Sequence, residues 1–81
     1  MYGEPVEHVG HVARAWSGVL GYTISPRQVV LCMIALKLVR ENHKHGQDNV
    51  DDIAGWTEIL DRVNAAGDYS LHLRAPSERV V

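Results

Sequence analysis

Apolar residues recur at helical spacing in three stretches of the chain, separated by turn signals. From about Pro5 to Leu20, the residues Val6, Val9, Ala13, Trp16 and Leu20 fall three or four positions apart. That spacing puts them on one face of a helix. His8, His11, Arg14 and Ser17 make up much of another face. Pro5 suits a first turn, where its missing N–H does no harm, and Glu4 and Glu7 complement the positive end of the helix dipole. Gly21 stands where a left-handed residue would end the helix.

The second stretch predicts a helix over about 25–41. In "TISPRQ", Ser25 is the N-cap, Pro26 the first helical residue and Gln28 the third, which together make a capping box. Ile24 and Val29 are spaced as a hydrophobic staple. No residue from Val29 to Leu36 is charged. A helix that is apolar nearly all round is expected to be central and covered on most sides. The third stretch predicts a helix over about 48–66, after a polar loop from Asn42 to Gln47. Val50, Ile53, Trp56, Leu60 and Val63 form its apolar stripe, and Gly67 ends it. Beyond it, 68–81 reads as a short irregular tail, tethered by Leu71 and Leu73 and broken by Pro76. The expected fold is one all-α, three-helix domain over 1–81.

Composition narrows the function classes. A chain of 81 residues builds a small core that is marginal alone, and self-association is the expected remedy. A formal net charge of −2 argues against general nucleic-acid binding. The single Cys32 excludes an internal disulfide, lies in the most apolar run and fits a reduced, cytoplasmic protein. No apolar run is long enough to span a bilayer, and the start "MYGEPVEH" has no signal-peptide pattern. Trp16 and Trp56 lie on apolar faces, as core or dimer-interface residues.

Candidate chemistry gathers at the turn between the second and third helices. A short loop makes these helices antiparallel neighbours. Lys37 and Arg40 near the end of one can then reach Asp51 and Asp52 at the start of the other. One account is structural: Asp48 or Asn49 caps the third helix, and Lys37 or Arg40 pairs with the aspartates. The other uses the same atoms as a site. Asp48 and Asp52, one turn apart, would hold magnesium, and Lys37 and Arg40 would hold phosphate oxygens. Glu4 and Glu7 would add acidic groups if the first helix brings its start to the turn. His8 and His11 share a face, but two ligands leave most of a transition-metal sphere to water. His43 and His45 are expected to be solvated, and Cys32 has no neighbouring base that would make it a nucleophile.

The segment from Tyr2 to Leu60 resembles a small helical family of bacteriophages and prophages whose function is unknown. The matching residues are Tyr2, Gly3, Pro5 and Glu7, then Trp16, Ser25 and Pro26. Lys37 and Arg40 match its K-x-x-R, and Asp48, Asn49, Asp52 and Gly55 match its D-N/S-x-x-D-x-x-G. His8 stands where asparagine is usual, and Trp56 replaces a tyrosine. Members usually carry a helix before the YG motif. The chain starts at Met1, so a site that needs that helix is expected to be incomplete. The acidic helix after a basic turn is also similar, at fold level, to the MazG-like all-α pyrophosphohydrolases. That likeness implies a magnesium-bound nucleotide, with Glu7 as a further ligand or base. Two function classes follow. The favoured one is a non-enzymatic interaction module without a cofactor that binds a host or phage protein. The alternative is a magnesium-dependent nucleotide-binding or nucleotide-hydrolysing domain.

Overall fold

The computed structural model describes residues 5–66, and among these it contains three helices and no strand. Helix α1 spans Pro5–Leu20, α2 Pro26–His43 and α3 Gln47–Ala66. The expectations for residues 1–4 and for the 68–81 tail lie outside the described residues, as does Gly67 as a helix stop.

The start of α2 forms as its sequence dictates. Gln28 N–H donates to Ser25 Oγ at 3.1 Å, and Ser25 N–H donates to Gln28 Oε1 at 2.8 Å. The α1–α2 connection is held by Ser17, whose hydroxyl donates to Ala13 O at 2.7 Å and accepts from Ile24 N–H at 2.8 Å. Gly21 ends α1 at φ +82°, and its N–H reaches Ser17 O at 2.9 Å. Only glycine adopts that conformation without strain.

The core is built of small β-branched residues. Val9 and Ala13 of α1, Ile24 of the α1–α2 connection, Val29 and Val30 of α2, and Val63 of α3 are buried. Trp16, Met33, Ile34, Trp56, Ile59 and Leu60 pack around them. Each fully buried valine contributes about 1.5–3 kcal/mol, a large share of a small domain's stability. These residues come from α1, its connection to α2, the first half of α2 and the second half of α3. The core therefore sits away from the α2–α3 turn, whose end is polar.

Several expectations need correction. α2 runs two residues further than expected, through His43, and α3 starts one residue earlier, at Gln47, so only 44–46 connect them. Leu20 is 54% exposed, because Ile24 and Tyr22 fill the end of the core beside α1. Val50 is 41% exposed at the polar end of the hairpin. The largest difference concerns α2. It does contact both other helices, but two helices cover only one side of a third. Leu31, Cys32, Ala35, Leu36, Leu38 and Val39 are exposed. Cys32 is thus a surface thiol and not a buried one.

Candidate functional site

α2 and α3 run antiparallel, and their joined ends form an open cleft of ≈ 700 Å³. The antiparallel pairing is marked at both ends of the hairpin. Arg27 Nε donates to Asn64 Oδ1 at 3.1 Å at one end, and Lys37 Nζ lies 2.9 Å from Asp52 Oδ2 toward the other. Arg40 and Lys44 line the cleft from one side, Asp48 and Asp52 from the other. Lys37, Arg40, Asp48 and Asp52 are therefore brought together as expected. The geometry separates their roles, because Lys37 and Asp52 are committed to each other. Asp51 accepts from Gln47 Nε2 at 3.1 Å and takes no part in that pair.

Glu7 does not join them. It is exposed on α1, which contributes no residue to the cleft. Among the described residues no group of three or more His, Cys, Asp or Glu side chains is placed to hold a metal ion. Trp16 and Trp56 are partly buried and pack against the core.

The residue that organises the turn is Glu41, which the sequence reading passed over. Its Oε1 accepts from Gly46 N–H at 3.0 Å and from Asn49 Nδ2 at 3.3 Å, and its Oε2 pairs with His45 Nδ1. Neither Asp48 nor Asn49 acts as the N-cap expected of them, since both lie inside α3. Asn49 instead binds back to α2, and its N–H reaches Gly46 O at 2.9 Å. His45 is accordingly a partner of Glu41 and not a free loop residue. The His45 hydrogen bond comes first, with the Gly46 amide second, in holding the Glu41 carboxyl below the usual carboxylate range. A signal for this was present. An acidic residue in the last turn of a helix opposes the dipole and needs donors, and His45 follows at i+4.

Arg40 and Lys44 have no ion-pair partner among the described residues. The cleft thus offers two available cations and the Asp48 carboxylate around a neutralised Lys37–Asp52 pair. Among the described residues no helix is long and apolar enough to cross a membrane.

Comparison with known proteins places the chain. Residues 1–64 match the model of a domain of unknown function, DUF6378. The Gene 55 protein of Mycobacterium phage L5 is 36% identical over 70 residues, covering 83% of this chain and 44% of the relative. The chain therefore spans less than half the length of that relative. No solved structure matches. The MazG-like resemblance gains nothing from these matches, whereas the phage-family pattern of Lys37, Arg40, Asp48, Asn49, Asp52 and Gly55 falls within the matched span. The chain belongs to the DUF6378 family, a family of unknown function with a relative encoded by a mycobacteriophage.

Proposed function

We propose that the domain is a non-enzymatic helical interaction module, acting in the host cytoplasm, that docks protein through the outer face of α2. The observation that carries this is the exposure of that face. Leu31 is 39% exposed, Leu38 54% and Val39 67%, with no charge between Gln28 and Leu36. Leu31, Leu38 and Val39 share one side of the helix and present roughly 300 Å² of apolar surface, the size of a monomer's largest patch, which is often functional. The folded chain gains nothing by leaving it in water. The Lys37–Asp52 pair supports the same reading, since it occupies the lysine and one of the carboxylates that magnesium-nucleotide chemistry would need.

A photo-crosslinking side chain at position 38, compared with one at Glu58 on the far side of α3, tests the proposal in host cells. A covalent adduct heavier than the 9.0 kDa chain is expected from position 38 alone. Equal labelling from both positions, or none from 38, overturns it.

A second reading rests on Arg40, Lys44 and Asp48, which line one cleft with their charges available. In it, a nucleotide binds through Arg40 and Lys44, with magnesium on Asp48. Lys37 and Asp52 would have to exchange their 2.9 Å pair for phosphate and metal. Calorimetric titration with a nucleoside triphosphate and magnesium tests it. Saturable binding abolished by Arg40→Gln favours this reading, and no heat sinks it.

A further inference from the structure

The exposed face of α2 has an internal symmetry that points to its occupant. Ala35 is at its centre. Three positions to either side stand Cys32 and Leu38, and four positions to either side stand Leu31 and Val39. Seven positions away on each side is an uncharged carboxamide, Gln28 or Asn42. All of these lie on the side of α2 opposite Val30, Met33 and Lys37, which face the other helices. The resulting row at 28, 31, 35, 38 and 42 has the alternating three- and four-residue spacing of a coiled-coil seam.

We propose that this face pairs with the same face of a second copy, the two α2 helices antiparallel across a two-fold axis at Ala35. The inference rests on the interaction-module reading and names its partner. A two-fold interface must be self-complementary, with each residue i meeting j while j meets i. The face meets that condition: Leu31 lies toward Val39 of the second copy, Cys32 toward its Leu38, and Gln28 toward its Asn42. The small Ala35 at the crossing lets the helix axes approach to about 8 Å. No like charges oppose one another along the seam, and Arg27 is turned toward α3 by its bond to Asn64. The antiparallel sense also sets the helix dipoles head to tail. Area is sufficient. Roughly 300 Å² from Leu31, Leu38 and Val39 of each copy, with Cys32, Ala35 and the two carboxamides added, gives about 1,000 Å² over the two copies, the size of a weak pair that dissociates on dilution.

Light scattering on the full chain across a dilution series tests the pairing, with charge variants at the axis. At about 100 μM the particle should have twice the 9.0 kDa chain mass and fall toward 9.0 kDa on dilution. Ala35→Glu sets two carboxylates against each other and should weaken association roughly a hundredfold. Ala35→Lys should do the same, and mixing the two variants should restore the dimer. Both substitutions lie on the exposed face of the protomer and keep good helix formers, so unchanged circular dichroism shows that the fold survives. Oxidation discriminates the sense of pairing. Antiparallel helices set each Cys32 against Leu38 and keep the thiols beyond the roughly 7 Å a disulfide tolerates between α-carbons, whereas a parallel pair brings them together.

Three results overturn the inference. They are a 9.0 kDa particle at the highest concentration, a dimer indifferent to Ala35→Glu, and rapid disulfide formation through Cys32 in an intact dimer. A monomer that still crosslinks from position 38 to another protein defeats the self-pairing and leaves the interaction module standing. Failure of every crosslink defeats both.

Discussion

Lys37 Nζ lies 2.9 Å from Asp52 Oδ2, and the lysine side chain is the more buried partner, 17% exposed against 47%. This asymmetry decides what each substitution does. Asp52→Asn leaves an ammonium in a largely desolvated position and should cost about 1 kcal/mol. Lys37→Met leaves a carboxylate that water already solvates, and should cost no more than about 0.5 kcal/mol. The double variant should melt close to Lys37→Met. Thermal melts of the three proteins check the cycle. Strictly additive losses would mean that the pair contributes nothing as a pair.

Glu41 predicts an acid limit to stability. Its carboxyl is held below the usual range by His45, then by the Gly46 amide, so the folded state binds its proton less readily than the unfolded state. The contribution is complete above the unfolded value, about 4.3 for a glutamate. It is lost as pH falls from there through the lower folded value. Melting temperature should therefore drop on acidification below that point. Glu41→Gln should melt lower at pH 7 and lose that part of the slope. A parallel pH dependence in both proteins would assign the acid sensitivity elsewhere.

The cap of α2 is a local device with a separable cost. Ser25→Ala removes the oxygen that receives Gln28 N–H and should destabilise by about 1 kcal/mol. For a domain of this size that corresponds to a fall of roughly 4–8 °C in Tm. Ser25→Asp keeps an acceptor at the same place and should recover most of the loss. Equal melting of both variants would deny the capping box its role.

At Gly21 an added β-carbon would meet nothing within 4 Å, so space is no obstacle. The obstacle is the backbone, at φ +82°. Gly21→Ala should cost about 1 kcal/mol through conformation alone, and Gly21→Asn less, because asparagine tolerates the left-handed region better. Chemical denaturation of the pair checks the order, and alanine at or above asparagine contradicts it.

The sequence by itself determined what depends on neighbours along the chain. The Ser25–Pro26–Gln28 box, the end of α1 at Gly21 and the three helical periods are local, and each formed where its residues stand. The approach of Lys37 to Asp52 was also legible, because a short connection forces two helices to be antiparallel neighbours. Tertiary structure decided the rest. Val29 and Val30 are buried while Leu31 and Cys32 are exposed, although all four are apolar. From Val29 to Leu36 the helix carries no charge on any side to orient it, so only the positions of α1 and α3 choose its inner face there. Glu7 likewise falls outside the cleft of Asp48 and Asp52, because the placement of α1 depends on how valines and tryptophans pack. Glu41 gathers Gly46, His45 and Asn49 only once the three-residue turn has closed, since spacing along the chain shows which donors are near but not which way they point.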